Sequence, residues 1–429
     1  MSAAADLRRG WCPGALRPMP TGDGLLARVR VSQGRLSLDQ ADAIAQCAAR
    51  YGNGIIEISS RANLQLRGIR DADLAALQTV IEELGLLDAN EASESIRNIV
   101  ASPIADLDPT AIVEPAPFVA ALEARLARDP ALRALPAKFS FVVDGGGALP
   151  LGDVDADIRF VARSAPGGPV FEVSLAGESM IVTHCALHDL AAVASALGLA
   201  FLCESINAGA EVWRMRHLID RIGAAALFAR THLSTAAPLA HARWRVTPEA
   251  YLGAHRHGAS FCVGAAPALG RMNADDLALL AREARQSGAR DLRLTPWRAV
   301  IATGIAAVAA PALVAGLAAA GFITDPANPL LAIVACSGSP VCANAAQDVR
   351  ADALALASRV PTRDGIVLHM SGCAKGCAHS APAPLTLVAR AGGYDLVIDG
   401  KAGDTPVRQG LSRADIGSLL ARQPGAAPP

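Results

Sequence analysis

The first regular pattern of apolar positions predicts a helix between Ser37 and Gly52. Its apolar residues recur at spacings of three and four, which places them on one helix face: Ala41, Ile44, Ala45 and Ala48. Ser37 with Gln40 has the pattern of a capping box at the start. Gly52 suits the C′ position at the end, where a left-handed backbone is common.

The same order of elements occurs twice. In the first copy, the strand-like segments IIEIS and NLQLRG follow the helix, and a second helix ends at Gly85. Residues 34–88 align without a gap to residues 270–324, where DLRLT and AVIATG take the places of the two strands. Asn273 with Asp276 can cap the helix of the second copy, though less fully. The glycines fall in register: Gly34 with Gly270, Gly52 with Gly288, Gly68 with Gly304 and Gly85 with Gly321.

An uncharged segment, 302–323, is long enough to cross a bilayer. It is rich in Ala and Gly, Pro311 interrupts it, and its counterpart in the first copy is visibly amphipathic. A buried strand and helix is therefore the better interpretation. No membrane association is expected.

The duplication predicts four consecutive parts with pseudo-twofold symmetry. Two half-domains cover 15–88 and 246–324, and an α/β module follows each, at 89–245 and 325–420. SIRNIVASP (95–103) and LAIVACSGSP (331–340) are similar strand-to-loop segments of the two modules. The expected fold class is α+β.

Composition and charge argue against some classes of function, such as general nucleic-acid binding. The net charge of −1 over 429 residues gives no general field that would attract nucleic acid. Lysine occurs only at positions 138, 375 and 401, so most local positive charge comes from arginine. The N-terminus has no apolar core of signal-peptide length, so a cytoplasmic location is expected. In a reducing compartment, clustered cysteines more often indicate metal binding or catalysis than disulfides.

Four of the nine cysteines form two short motifs. Cys336 and Cys342 make a C-x5-C motif, and Cys373 and Cys377 make a C-x3-C motif in GCAKGC. Four thiolates on two loops can hold an iron–sulfur cluster. A structural zinc site usually has tighter C-x2–4-C spacing, and buried free thiols are a further alternative.

These motifs resemble the cluster motifs of the nitrite and sulfite reductase superfamily. SSRANLQLRGI (59–69) is similar to its T-x-R-x-x-x-Q-x-x-G-I segment, SIRNIVASP to its R-N-V segment, and LPAKFSF (135–141) to its L-P-x-K-F-K segment. The resemblance covers nearly the whole chain. It implies two ferredoxin-like half-domains, each followed by an α/β module.

By this resemblance, the four cysteines hold a [4Fe–4S] cluster. Arg61, Arg97 and Lys138 are expected to line an adjoining tetrapyrrole and anion cavity, and Arg67 is a further candidate for ligand binding. Ser140 stands where the superfamily has a second lysine. The positive charge expected over a sulfite or nitrite anion is therefore reduced.

RRGWCPGALRPMPTGDGLLARVR (8–30) and TPWR (295–298) resemble one branch of the superfamily more closely, the precorrin-3B synthases. This implies hydroxylation of precorrin-3A by dioxygen with closure of a γ-lactone. It also implies a [4Fe–4S] cluster and a mononuclear non-haem iron. Alternatives are a sirohaem-dependent nitrite or sulfite reductase, with sirohaem less expected, and a non-catalytic metal- or tetrapyrrole-binding protein.

Further residues are candidates for chemistry near the cluster. Lys138 and Lys375 can act as compact positive charges, and His379 as an acid or base. His369, His379, His255 and His257, in that order, are candidate ligands of the second iron. Cys12 is interpreted as a turn thiol. Because no G-x-G-x-x-G segment follows a strand, electrons are expected from an external donor, for example a ferredoxin or an NADH-linked reductase.

Overall fold

The computed structural model describes residues 12–176, 180–208, 212–239, 245–361 and 365–421. Its strands form four five-stranded sheets, and helices cover the sheets, which makes the fold α+β.

The strands, in chain order, are β1 Met19–Thr21, β2 Gly24–Val29, β3 Arg35–Leu36, β4 Ile55–Ile58, β5 Leu64–Ile69, β6 Ile99–Ala101, β7 Phe141–Asp144, β8 Ile158–Ala165, β9 Gly168–Leu175, β10 Thr183–Ala186, β11 Gly253–His257, β12 Ser260–Ala265, β13 Arg271–Asn273, β14 Leu292–Leu294, β15 Val300–Ile305, β16 Ile333–Ala335, β17 Leu368–Ser371, β18 Ala383–Arg390, β19 Gly393–Gly400 and β20 Arg408–Leu411. The α-helices are α1 Leu38–Tyr51, α2 Leu74–Glu83, α3 Glu91–Ile96, α4 Ala116–Arg128, α5 Leu190–Ala208, α6 Met215–Ile222, α7 Ala224–Arg230, α8 Ala274–Gln286, α9 Ala310–Ala319, α10 Val349–Leu356 and α11 Arg413–Leu420.

The two half-domains exchange strands. The first sheet has the order β1-β2-β5-β4-β13 and the other has β11-β12-β15-β14-β3, so each contains one strand from the other copy. Helices α1 and α8 share a single hydrophobic core with both sheets, in which Ile44, Leu66, Leu280 and Leu292 are all buried. The two copies are therefore distinct in the sequence but fold around one common core.

Each module has a sheet with the same plan. Strands β6, β7 and β8 are parallel, and β9 and β10 complete the sheet antiparallel. Strands β16, β17 and β18 are likewise parallel and are followed by antiparallel β19 and β20. Ile99 pairs with Phe141 in the first module, and Ile333 pairs with Leu368 in the second. In each module the carboxyl ends of the two paired strands therefore lie side by side.

The helix predicted between Ser37 and Gly52 is present, with both hydrogen bonds of its capping box. Asn273 and Asp276 also form a complete box, which is more than the sequence suggested. Gly52 differs from the expected C′ residue, because its backbone is extended. A Cβ there would lie 2.4 Å from the Arg67 carbonyl oxygen, so close packing is what requires glycine.

The uncharged segment 302–323 is not one helix. It contains most of β15 and the ten-residue helix α9, whose Leu313 and Leu317 lie in the half-domain core. One helical stretch of the described chain, Leu187–Asn207, is long and apolar enough to cross a membrane. Its residues Leu197 and Phe201 are buried in the core of the first module.

Candidate functional site

The two loops that carry the four motif cysteines lie at the carboxyl ends of two neighbouring parallel strands. Cys336 directly follows β16, and Cys373 lies two residues beyond the end of β17. Parallel pairing brings both strand ends to the same edge of the sheet, so the two loops face each other. This is why cysteines more than thirty residues apart in the sequence can form one site.

Backbone hydrogen bonds fasten the two cysteine loops together. The Cys336 N–H donates to the Met370 carbonyl oxygen at 3.1 Å, and the Ala346 N–H donates to that of Gly372 at 3.1 Å. The Gly372 N–H donates to Cys336 Sγ, also at 3.1 Å. A Cβ on Gly372 would lie 2.6 Å from Ala345 Cβ and 3.3 Å from Cys336 Sγ. Glycine is therefore required for this close approach.

The donor chemistry fits an iron–sulfur cluster. Burial raises the pKa of the Cys336 thiol, and charge on Cys342 and Cys377 raises it further, although the Gly372 and Gly338 N–H groups oppose this. Several thiolates are thus close enough to repel one another, and a bound cationic cluster would relieve that repulsion.

The spacing of the two motifs favours a cluster over a single zinc ion, because structural zinc sites usually have tighter C-x2–4-C spacing. In the described part of the chain, no three His, Cys, Asp or Glu side chains converge on one point where a single ion could bind. Zinc requires four ligands around one ion, whereas each iron of a cubane takes its own thiolate.

Arg67 supports the cluster loop. Its side chain is 3% exposed and pairs with Asp23 at 3.0 Å and Glu57 at 3.4 Å. Its Nη1 also donates to Ser337 Oγ at 3.4 Å, next to Cys336. Sequence resemblance made Arg67 a candidate ligand-binding residue, but the structure places it behind the loop, with its charge already paired.

A separate cluster of basic side chains surrounds Cys12. Arg28 Nη1 lies 2.8 Å from Cys12 Sγ, and Arg61 Nη1 lies 4.0 Å from it. Arg61 Nη2 also donates to the Lys138 carbonyl oxygen at 3.0 Å. The charges of Arg30 and Lys138 act on the same thiol. We call this group, Cys12 with Arg28, Arg30, Arg61 and Lys138, the arginine pocket.

Three residues of the arginine pocket are not apparent from the sequence motifs: Arg28, Arg30 and Cys12. Residues at i and i+2 share one face of a strand, so the alternating arginines of LARVR were an available signal. Cys12 was interpreted as a turn thiol, and no local signal connects it to Arg61.

Arg97 lies behind Arg30. It pairs with Asp88 at 2.7 Å and with Glu123 at 3.2 Å, and its Nη2 donates to the Arg30 carbonyl oxygen at 3.4 Å. These carboxylates raise the pKa of Arg97 against the opposing effect of burial. The structure thus gives Arg97 a supporting position, with its charge already paired.

Ser140 stands at the position where the sequence resemblance implies a second lysine. It is 1% exposed, and its N–H donates to Asp157 Oδ2 at 2.9 Å. Arg214 Nε donates to Asp157 Oδ1 at 3.0 Å. A buried serine held in this way supplies no charge to a ligand.

A chain of hydrogen bonds connects the arginine pocket to the cysteine loops. Arg28 Nη2 donates to Gln65 Oε1 at 2.7 Å, and Gln65 Nε2 donates to Glu57 Oε2 at 3.2 Å. Ser337 Oγ donates to Glu57 Oε1 at 3.3 Å. Gln65 and Glu57 lie opposite each other on β5 and β4. The pocket and the cysteine site therefore adjoin the same face of one sheet.

His369 and His379 lie beside the second cysteine loop. Their rings meet edge to face, with centroids 5.6 Å apart. Burial, with smaller effects from His379 and Arg298, lowers the pKa of His369 to about 4, so its ring is neutral near pH 7. Arg298 Nη2 donates to the Ala378 carbonyl oxygen at 3.2 Å. Lys375 is half-buried in the loop between Cys373 and Cys377.

The structure does not bring the four candidate histidines together as iron ligands. His255 Nε2 lies 2.7 Å from the Leu252 carbonyl oxygen, and His257 lies near Asp108. His369 and His379 lie next to each other, and no group of three potential ligands occurs in the described ranges.

Family models match both halves of the chain. A "Nitrite/Sulfite reductase ferredoxin-like half domain" matches residues 17–84 and 254–320. A "Nitrite and sulphite reductase 4Fe-4S domain" matches residues 92–237. The second match lies in the first module, whereas the four motif cysteines lie in the other one.

Relatives cover nearly the whole chain. A precorrin-3B synthase from a Sinorhizobium species is 36% identical over 97% of this chain and 88% of its own length. A ferredoxin–nitrite reductase from Synechococcus elongatus is 27% identical over 90% and 82%. The NirA protein of Mycobacterium tuberculosis superposes with a TM-score of 0.76 at 21% identity, covering 93% of this chain and 80% of its own. That last likeness shows the fold alone.

Proposed function

We propose the function of this chain from one premise: it belongs to the nitrite and sulfite reductase superfamily and, within it, to the precorrin-3B synthases. The chain is an oxidoreductase-family enzyme. We infer that it hydroxylates precorrin-3A with dioxygen and closes a γ-lactone, as in aerobic cobalamin biosynthesis. The observation that carries this proposal is the arginine pocket, joined to the cysteine loops through Gln65 and Glu57.

The cysteines would hold the cluster. Cys336, Cys342, Cys373 and Cys377 supply four thiolates at one sheet edge, and the Gly372 N–H already donates to one of the sulfurs. A bound [4Fe–4S] cluster would supply electrons one at a time. An external donor, a ferredoxin or an NADH-linked reductase, would replenish them.

The arginine pocket would bind the carboxylates of the tetrapyrrole. Planar guanidinium groups pair with carboxylates in two parallel hydrogen bonds, so Arg28 and Arg61 can fix the orientation of the macrocycle as well as its position. Lys138 adds a compact charge, and Arg97 keeps Arg30 in place from behind. Orientation matters because hydroxylation must select one carbon of a large ring.

The overall reaction balances with two electrons and two protons. One oxygen atom of dioxygen becomes the hydroxyl on the meso carbon between rings A and D, and the other leaves as water. A ring-A acetate then closes the lactone. This closure is favoured because both groups are held on one bound macrocycle. No step is assigned to a mononuclear iron.

A sirohaem-dependent nitrite or sulfite reductase is the second candidate, because nitrite reductases are among the relatives. The same pocket could hold a tetrapyrrole cofactor in place of a tetrapyrrole substrate. Ser140 counts against it, because that buried side chain provides no second cation over a small anion. A non-catalytic tetrapyrrole- or metal-binding protein is the remaining alternative.

Two measurements on anaerobically purified protein separate these candidates. The absorption spectrum should show the broad shoulder of a cluster without the sharp Soret band of sirohaem. Turnover of precorrin-3A under isotopically labelled dioxygen should place the label in the new hydroxyl, read by mass spectrometry. Unlabelled product, or turnover without oxygen, would exclude the monooxygenase. Absence of turnover in a cluster-loaded protein would favour the non-catalytic alternative.

A further inference from the structure

Cys12 lies among positive charges. Arg28 Nη1 is 2.8 Å from its Sγ and Arg61 Nη1 is 4.0 Å away, and the charges of Arg30 and Lys138 also act on it. The nearest carboxylates act on the arginines: Glu94 on Arg30, and Asp157 on Arg61. The thiol therefore occupies the position where an anion is most favourable.

The protonation of Cys12 follows from these contacts. Burial by itself raises the pKa of the Cys12 thiol, but Arg28, Arg30, Arg61 and Lys138 together outweigh burial and hold that pKa below its ordinary value of 9.0. The thiolate is thus stabilised by its surroundings. Its side chain contributes the negative charge within the pocket.

A second observation concerns guanidinium nitrogens of the pocket that have no hydrogen-bond acceptor. Arg30 is 2% exposed, and its Nε and Nη2 have no hydrogen-bond partner within the described chain. Arg28 Nε is buried and equally without a partner there. Buried guanidinium nitrogens without acceptors are costly, so they indicate that a ligand supplies the acceptors.

We propose that the Cys12 thiolate is a built-in counter-ion of the arginine pocket, and that a carboxylate of the bound tetrapyrrole displaces it. This inference rests on the proposed function, since it takes the ligand to be a polycarboxylate tetrapyrrole. A carboxylate that pairs with Arg28 and Arg61 neutralises the charges that stabilise the thiolate. Cys12 then takes up a proton from solvent, with no change in covalent bonding or oxidation state. Cys12 acts as a positioning residue that keeps the empty pocket ordered.

The thiolate can be tested without any ligand. The thermal stability of cluster-loaded wild type and Cys12→Ser would be compared from about pH 6 to about pH 10, which brackets an unfolded-state pKa near 9. A lowered folded-state pKa means that the charge stabilises the fold increasingly as pH rises through that pKa towards 9.0, and that this stabilisation is lost as pH falls. The melting temperature of wild type, relative to that of Cys12→Ser, should therefore increase as pH rises. A difference in melting temperature that does not change with pH would contradict an ionised Cys12.

Displacement is tested by binding of uroporphyrin, a stable polycarboxylate tetrapyrrole, followed by fluorescence. Cys12→Ser removes the internal competitor and should bind about three- to tenfold more tightly than wild type, because a larger fraction of the pocket is open to the ligand. Cys12→Asp, a competitor that stays charged, should bind more weakly than wild type. Cys203→Ser, at an exposed cysteine, is the matched control and should not differ.

The outcomes separate this inference from the function on which it rests. Equal or weaker binding by Cys12→Ser, with binding weakened in Arg61→Ala, would overturn displacement and leave the tetrapyrrole pocket in place. No binding of uroporphyrin to wild type or Cys12→Ser would overturn displacement together with the tetrapyrrole function. Tighter binding by Cys12→Ser and weaker binding by Cys12→Asp would support both.

Discussion

The two modules place different side chains on one backbone frame. Ser102 follows β6 as Cys336 follows β16, and each is six residues before its second loop residue, Asp108 or Cys342. The Gly145 N–H donates to Ser102 Oγ at 2.9 Å, just as the Gly372 N–H donates to Cys336 Sγ at 3.1 Å. The backbone contact of the first loop residue is also repeated, to Val143 in one module and Met370 in the other.

The first module closes its loop with protein atoms. The Asp108 carboxylate accepts hydrogen bonds from the Thr110 N–H at 2.9 Å, the Thr110 hydroxyl at 2.7 Å and the Ala148 N–H at 2.5 Å. In the second module cysteines stand at the corresponding places. The shared backbone arrangement thus brings two loops together in both modules. Whether the loops carry oxygen or sulfur side chains decides whether a carboxylate or a metal cluster joins them. The family model named for a 4Fe-4S domain accordingly matches the first module, which lacks the four motif cysteines.

The largest effect is expected from the cluster cysteines. Replacing Cys336, Cys342, Cys373 or Cys377 by Ser should remove the cluster and most soluble protein, because the metal they share holds the loops and its loss becomes loss of folding. Iron and sulfide analysis and yield of soluble protein are the measurements. Cys203→Ser is the control and should keep wild-type iron. Wild-type iron and sulfide in all four variants would refute the assignment.

The paired glycines should respond differently. Gly372→Ala places a Cβ 3.3 Å from Cys336 Sγ, so the iron content per folded protein should fall. Gly145→Ala places a Cβ 2.5 Å from the Val113 carbonyl oxygen, so it should lower the melting temperature without changing that iron content. Iron analysis of the soluble fraction and thermal melting separate the two outcomes. Equal iron loss in both variants would mean that the modules do not divide the roles as described.

Asp108→Ala should destabilise the protein by about 3 kcal/mol at neutral pH, the upper range for a hydrogen-bonded charged group. The Ala148 and Thr110 hydrogen bonds outweigh burial and lower the pKa of Asp108 below its ordinary 3.8. Its stabilising effect is therefore complete above pH 3.8 and is lost as pH falls through the lower folded-state pKa. Denaturant unfolding should show the gap between wild type and variant narrowing in acid. Glu82→Ala, at an exposed helix position, should show little change.

The smallest effect is expected at the turn that occurs in both half-domains, where Arg61 and Trp297 can be compared. Arg61 and Trp297 occupy corresponding positions, but Trp297 stacks on Tyr251 with ring centroids 5.0 Å apart. Arg61→Ala should weaken uroporphyrin binding by about 2 kcal/mol, within the range for hydrogen bonds to charged groups. Lys138→Ala should act in the same direction, and Trp297→Phe should leave the affinity unchanged. An effect of Trp297→Phe as large as that of Arg61→Ala would place the pocket elsewhere.

Much of the fold and the cluster site was predictable from local patterns. The helix after Ser37, the gapless repeat and the C-x5-C and C-x3-C motifs are all visible in the order of residues, because helix periodicity, turn glycines and ligand spacing act over short distances. The same motifs carried the resemblance that indicated the superfamily and the branch, and the comparisons confirmed both.

Only the tertiary structure decided which charges are available to a ligand. Arg61 and Arg97 look alike in the sequence, yet Arg61 lies 4.0 Å from Cys12 Sγ while Arg97 is paired with Asp88 and Glu123. The exchange of β3 and β13 between the two half-domains likewise leaves no local signal. The partner of an ionised side chain is set by which strands and loops pack together across the chain. Residue spacing within one segment therefore does not contain that information.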